Sequence, residues 1–298
     1  MSYKECIIQP SSAQKPVKVS AGTAFGCARD FMDNRFVYVV VSPRAKGLSI
    51  GVNMNPDKMC NFDCSYCEVN RLTPTDSLLD VDVMAAELQR TLGLVRTGRI
   101  REHSLFGALP DELLQLKHVA LSGDGEPTLA PNFTDAVQGV MHVRACSGDS
   151  FFKVVLISNS TGLDLPDVQS GLRSFTRYDE VWAKLEAGTQ EYMNRISGST
   201  VSLEKVLTNI LLVSKERPVI IQSLFPSING KEPTYMEIDQ YVWRLKELKE
   251  AGAQIPLVQI YSATRPMSHS ECGHLPLRTL HGIAQKVKLI AGLKAEVF

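Results

Sequence analysis

The sequence has no excess of either charge: 32 Lys plus Arg stand against 32 Asp plus Glu, a formal net charge of zero. That balance argues against a broad electrostatic footprint for nucleic acid or an anionic membrane, although a local patch can hide in the average. No apolar run approaches the roughly 18 residues that a bilayer-spanning helix needs. The opening stretch MSYKECIIQPSSAQKP has no apolar signal-peptide core. Internal repeats, low-complexity tracts and long linkers are absent. The seven cysteines include three that sit together, a pattern that suits a reducing compartment better than a disulfide framework. The expectation is a cytoplasmic protein with no membrane partner. Its 298 residues, 44% of them hydrophobic, suffice for one large α/β domain or two small ones.

From residue 48 onward, short continuous apolar runs alternate with amphipathic stretches. Strands are predicted at 48–53, 118–122, 153–158, 180–185, 218–224 and 256–261, and helices near 81–96, 132–145, 165–174, 202–215, 233–251 and 277–292. Strand–helix alternation implies a parallel sheet with crossover helices, and continuous apolar strands imply burial on both faces. An open doubly wound sheet and a barrel both satisfy this pattern. In either, function sits at the C-terminal ends of the strands. Residues 1–47 read as an N-terminal extension whose one clear element is a strand at Phe36–Val41, leaving 48–298 as the main domain.

The three clustered cysteines, Cys60, Cys64 and Cys67, form a C-x3-C-x2-C triad in NPDKMCNFDCSYCEVN. Thiolates are the usual ligands of iron–sulfur clusters, and a cubane that only carries electrons takes four. Three leave one iron open to a small molecule. Two other readings share the spacing. Positions i, i+4 and i+7 lie on one helix face, so buried thiols on a core helix would look alike; Asn, Asp and Pro at 53, 55–57, 61 and 63 make the segment turn-like instead. Zinc normally takes paired C-x2-C knuckles, and no partner knuckle is present.

Polar residues recur at the predicted strand ends. Ser122-Gly123-Asp124-Gly125-Glu126-Pro127 follows the second strand, where glycine permits close backbone approach to a ligand. Ser158-Asn159-Ser160-Thr161-Gly162 ends the third; it is a polar ligand site or a helix-capping turn. Lys184 and Glu186 share one strand face and require a partner or a ligand. Gln222 and Gln259 lie inside the last two strands, as substrate contacts or satisfied core amides, and Tyr261 ends the sixth. Arg265 opens a loop that also holds His269, Cys272 and His274; it reads as the closure of the substrate pocket, with a second metal site as the weaker reading.

Taken in order, CNFDCSYCE, SGDGEPTL, ISNS, VWAKLEAGTQEYMNRI and VQIYSATRP resemble the radical S-adenosylmethionine (radical SAM) superfamily, in the branch loosely labelled wyosine-synthase-like, over roughly residues 34–298. The resemblance implies a partial (β/α)6 TIM-type barrel of parallel strands and one [4Fe–4S] cluster on Cys60, Cys64 and Cys67. It also implies reductive cleavage of SAM to a 5′-deoxyadenosyl radical that abstracts hydrogen from a substrate. It gives Tyr66, Ser122, Gly123, Asp124, Gly125, Glu126, Ser158, Asn159, Lys184, Glu186, Arg195 and Tyr261 to the cofactors, and Gln222, Gln259 and Arg265 to the substrate. Asp124 departs from the family's GGEP motif. An electron donor such as flavodoxin or ferredoxin is implied as partner. True wyosine-base enzymes carry extra N-terminal cysteines for a second cluster, whereas only Cys6 and Cys27 precede this triad. The expected substrate is therefore a small molecule. The alternatives are tRNA modification, through a basic face of Arg96, Arg99, Arg101 and Lys117, and a non-enzymatic iron–sulfur electron carrier.

Overall fold

The computed structural model describes residues 24–26, 31–69, 77–148, 151–263 and 271–298. Its elements in chain order are β1 (Val37–Ser42), β2 (Gly47–Asn53), α1 (Val81–Arg96), β3 (Leu116–Ser122), α2 (Phe133–Cys146), β4 (Lys153–Ser158), α3 (Pro166–Leu172) and β5 (Glu180–Lys184). There follow α4 (Gln190–Ser197), α5 (Leu203–Glu216), β6 (Val219–Leu224), β7 (Ser227–Ile228), α6 (Tyr235–Glu250), β8 (Val258–Tyr261), β9 (Cys272–Gly273), α7 (Leu277–Lys286) and β10 (Ala295–Val297). Short 3-10 turns link several of them, and α7 runs into a π turn at Val287–Ala291.

Eight strands form one sheet in the order β1-β2-β3-β4-β5-β6-β8-β10. The six predicted strands are all present and parallel, each joined to the next through helix. Such crossovers put helices on one face and demand apolar residues there. Val119, Leu121, Val154, Leu156, Val181, Val219, Ile221, Val258 and Ile260 accordingly join the main core. Helix starts follow from capping. The side chains of Asp80, Ser202 and Thr234 accept backbone amides at the starts of α1, α5 and α6.

The opposite sheet face is concave. Val155, Trp182 and Ile220 form a separate apolar cluster with Ala45, Ile157 and Leu257 packed against it. Below it, Glu180 accepts from Lys153 at 2.5 Å and from the Trp182 indole at 2.8 Å. The sheet curls far enough for its two edges to meet. The turn joining β1 to β2 lays the Arg44 guanidinium over the Tyr261 ring at 4.3 Å and brings Lys46 to Glu296 of β10 at 3.4 Å. The result is the expected partial barrel, a curled half-barrel of mostly parallel strands.

The strand expected at Phe36–Val41 is β1; its pairing and two short elements were not legible in the apolar pattern. β1 pairs antiparallel with β2 along its whole length. Buried Glu87 of α1 holds its start by accepting the Arg35, Phe36 and Val37 amides at 2.7, 2.9 and 3.1 Å. α4 is only eight residues long, and β10 only three. Both lie below the length at which periodicity is readable.

His118 at the base of the concave face has a testable signature. Its ring stands edge-on to Trp182 at 5.1 Å, and burial, helped by Lys153 and Arg44, pushes its pKa from 6.5 down to about 3. Between those values the unfolded chain binds a proton that the folded chain does not. Stability therefore falls as pH drops through that window, by up to about 1.4 kcal/mol per pH unit. Urea unfolding of wild type and His118→Gln at pH 7 and pH 5 is expected to show a smaller loss in the variant. Equal losses would remove His118 from the account.

Candidate active site at the strand ends

The cysteine loop begins where β2 ends, at the C-terminal end of the parallel strands. Met54 extends the strand by donating its amide to the Ser122 carbonyl at 2.7 Å. The chain then turns: Lys58, at φ 62°, donates to the Asn55 carbonyl at 2.9 Å, and Asp57 accepts the Met59 amide at 3.0 Å. Cys64 is buried and Cys60 and Cys67 are half-buried; all three are free thiols. The Cys67 amide closes a turn on the Cys64 carbonyl at 2.9 Å.

Three neighbours fix the loop. On one side the Met59 carbonyl accepts the Glu126 amide at 2.9 Å. A Cβ on Gly125 would lie 1.9 Å from that same oxygen, so only glycine fits. The close backbone approach at Gly125 is to the cysteine loop, a constraint the sequence did not disclose. On a second side Asn61 accepts from the Asn159 amide group and donates to Thr161, both at 2.9 Å. On the third, Asp63 and Ser65 donate to the Ser197 and Ile196 carbonyls at the end of α4, at 2.7 and 2.8 Å.

The strand-end motifs bind one another as well as the loop. Glu126 is buried and its two oxygens accept from Thr128, Ser158 and the Asn159 amide, the last two at 2.6 and 2.7 Å. Ser158 in turn accepts the Ser160 amide at 2.9 Å. Asp124 accepts from the Asn53 side chain at 2.9 Å, and its amide donates back to Asn53 at 3.0 Å. Gly123 adopts φ +149°, with Asn53 where a Cβ would lie. The side chains of Glu126 and Ser158 are thus committed to protein partners. Asn53, Asn55 and Asn61, which tie this network together, read in the sequence only as turn formers.

A second group faces the loop from the concave side. The Tyr66 hydroxyl donates to Glu186, and the Lys184 ammonium lies 5.8 Å from the Tyr66 ring centroid. Lys184 also lines a cavity of about 20 Å³ with Phe62, Asn159 and Glu186, room for about one water. Burial pushes the Cys64 thiol up to about 12, opposed by Lys184. Burial lowers the Lys184 pKa, but attraction to Glu186, Tyr261, Cys64 and Cys67 outweighs it and holds the ammonium charged. Burial raises the Glu186 pKa against the pull of Lys184 and Tyr66. Gln222 donates to Gln259 at 2.9 Å across adjacent strands, level with Lys184.

Among the described residues several buried acceptors here have no hydrogen bond, namely Asn55 Oδ1, Glu186 Oε1 and Gln222 Oε1. Such orphaned acceptors at strand ends are what a ligand site leaves open. No three His, Cys, Asp or Glu side chains among the described residues converge as a single metal ion requires. A cubane takes its thiolates on separate irons, so this all-thiol set suits a cluster better than the zinc reading.

Of the three remaining expected positions, Arg195, Tyr261 and Arg265, the structure describes the first two. Arg195 is exposed on α4 and lines a different cleft of about 220 Å³ with Tyr192 and Lys231. Tyr261 lies under Arg44 and within electrostatic reach of Lys184 and Tyr66, so it borders the same group. Arg265 and His269 lie outside the described residues. Cys272 is buried in β9, beside Ser65 of the cysteine loop, and His274 hydrogen-bonds the Ala263 carbonyl at 3.3 Å. The two are engaged separately.

The Met59–Gly125 contact predicts that Gly125→Val displaces the cysteine loop at a cost of about 1–3 kcal/mol. In the metal-free protein, Cys64 is expected to react faster with a thiol reagent, read by mass spectrometry of labelled peptides. Labelling at the wild-type rate would mean the glycine does not hold the loop.

Residues 54–237 match the radical SAM superfamily. UPF0026 proteins of Helicobacter pylori strain J99 and Methanocaldococcus jannaschii are 26% identical over 184 residues and 24% identical over 173, covering 60% and 57% of this chain. The matches cover 52% and 47% of those proteins, so the chain spans about half the length of the curated relatives it matches. Among solved structures, SuiB of Streptococcus suis bound to S-adenosylmethionine is similar with a TM-score of 0.56 at 14% identity, over 82% of this chain and 49% of that one. TYW1 with a lysine–pyruvate adduct bound is similar with a TM-score of 0.54 at 17% identity, over 85% and 83%. At those identities the likeness is one of fold. The match over residues 54–237, which takes in the cysteine loop and four of the six parallel strands, means that the chain belongs to the radical SAM superfamily of enzymes.

Proposed function

We propose that Cys60, Cys64 and Cys67 hold one [4Fe–4S] cluster and that the chain binds SAM beside it and cleaves it reductively to act on a small-molecule substrate. The observation that carries this reading is the all-thiol loop at the strand ends, braced from three sides and faced by orphaned acceptors. When bound, the reduced cluster supplies an electron to SAM, releasing methionine and a 5′-deoxyadenosyl radical that removes a hydrogen atom from the substrate.

The chain's own residues bind, orient and exclude water. The Met59–Glu126 and Asn61–Asn159 contacts hold the three thiols in place. With the Glu126 and Ser158 side chains committed to each other, contacts from Gly123–Glu126 and from residue 158 to SAM run through backbone groups. Lys184, Glu186 and Tyr66 keep charge next to the thiols in a partly buried setting. Gln222 and Gln259, beside Lys184 on the concave face, offer polar contacts to a small ligand.

Two observations favour a small molecule over tRNA. Arg96, Arg99, Arg101 and Lys117 lie between the end of α1 and the start of β3, at the N-terminal end of the strands and opposite the cysteine loop. Two of them are also neutralised: Arg99 pairs with Glu102 at 2.8 Å, and Arg101 pairs with Asp111. An electron donor such as flavodoxin or ferredoxin is the implied partner. The electron-carrier alternative predicts that SAM leaves the cluster's spectrum unchanged.

Reconstituted without oxygen, the protein is expected to hold about four irons per chain. Ala at Cys60, Cys64 or Cys67 is expected to abolish the cluster, while Cys146→Ala, on the exposed end of α2, leaves it. A stable count near eight irons would replace the one-cluster reading with a two-cluster one. For the substrate side, Gln222→Ala is expected to keep the four irons and to change SAM turnover. Unchanged turnover with every substrate tested would remove Gln222 from the site.

A further inference from the structure

Lys184 is unusual among the cations of this chain. Alternation along β5 puts Trp182 and Lys184 on the concave face, and Lys184 is the last residue of the strand, level with Gln222. Among the described residues its ammonium has no hydrogen bond and no ion pair; it lies 5.8 Å from the centroid of the Tyr66 ring. Tyr66 sits between Cys64 and Cys67, and its hydroxyl is held by Glu186. The ammonium therefore stands one ring away from the cysteine loop, and the residue also lines the small cavity shared with Phe62 and Asn159.

A full charge in that position acts over a distance that water would otherwise screen. Interaction between charges rises several-fold as the effective dielectric falls from bulk water to a protein interior. Lys184 is held charged chiefly by Glu186, and its ammonium lies one ring from the cysteine loop. Reduction of an iron–sulfur cluster adds one negative charge to it. A fixed cation nearby favours the reduced form, and a carboxylate nearby opposes it. Net charge, hydrogen bonding and exposure are the general determinants of such potentials.

We propose that Lys184 is a positioning residue that acts through the cluster: its ammonium, set against Glu186 across Tyr66, fixes the reduction potential of the iron–sulfur group on Cys60, Cys64 and Cys67. This rests on the cluster reading above and goes beyond it. Lys184 then acts before any substrate arrives. A lysine at a strand end in this mouth would otherwise be read as a substrate contact. The two roles differ in one respect: a substrate contact has no effect on the cluster when SAM and substrate are both absent.

The experiment is a redox titration, monitored by electron paramagnetic resonance, of the reconstituted protein without SAM. Iron content and the visible spectrum are measured first. If wild type holds no cluster, it is the cluster reading that fails. With about four irons present, Lys184→Met is expected to lower the midpoint potential by at least tenfold in the reduction equilibrium, 59 mV for one electron. Lys184→Arg is expected to restore most of it. Glu186→Gln, nearly isosteric, is expected to shift the midpoint upward, and it keeps the test open should Lys184→Met fail to assemble a cluster. Raising the salt to 1 M is expected to leave these shifts in place, because partly buried charges are little screened. Less than about a twofold change in the equilibrium for Lys184→Met, or no upward shift for Glu186→Gln, overturns the proposal.

Discussion

The Met59 carbonyl is the contact on which the site depends. It accepts the Glu126 amide and lies where a side chain on Gly125 would have to go, so the loop after β3 and the loop after β2 can occupy only one relative position. From there the constraint spreads. Glu126 reaches on to Ser158 and Asn159 at the end of β4, and Asn159 reaches back to Asn61, between the first two cysteines. Three consecutive strand ends are thereby closed into a ring of hydrogen bonds around the cysteine loop. Buried polar networks of this kind stabilise one arrangement when every member is satisfied. The few members that are not satisfied, Asn55, Glu186 and Gln222, mark where the ring opens toward a ligand.

The half-barrel gives that ring its two unlike surroundings. On the convex side the strands carry mostly apolar residues under the helices, with Ser223 hydrogen-bonded to Tyr241 of α6, which makes a rigid base. On the concave side, alternation brings Lys184, Gln222 and Gln259 to one level of three adjacent strands, close to the thiols. The curl is maintained at the other end by the β1–β2 turn, whose Arg44 and Lys46 bridge to the last strands. Charge near the cysteines is thus only partly solvated, with Glu186 at the edge of burial and Lys184 half-buried. Lys184 and Glu186 oppose each other there without a direct ion pair, and the tyrosine between them transmits the contact.

Much of this was legible in the sequence. Continuous apolar runs gave six parallel strands, because burial on both faces leaves no alternation to hide them. The C-x3-C-x2-C spacing identified the loop, and the strand-end polar runs identified its neighbours. What was not legible has physical causes. The role of Gly125 depends on which backbone oxygen lies opposite it, and that oxygen belongs to a residue 66 positions earlier in the chain. Asn61 reads as a turn former, whereas in the fold it is the pin between two loops. Arg195 shares a helix with the backbone carbonyls that support the cysteine loop, yet helical geometry turns its side chain to the neighbouring cleft. Short elements such as α4 and β10 carry too few residues for a pattern and are specified by the surfaces they cover.

The claim beneath all of this is that the braced thiols serve SAM cleavage rather than simple electron storage. The most direct measurement is the product of SAM after dithionite reduction of the reconstituted protein, without substrate. The account predicts slow formation of 5′-deoxyadenosine and methionine in equal amounts, lost in Cys64→Ala. A protein that holds its four irons, accepts an electron and leaves SAM intact and unbound would contradict it.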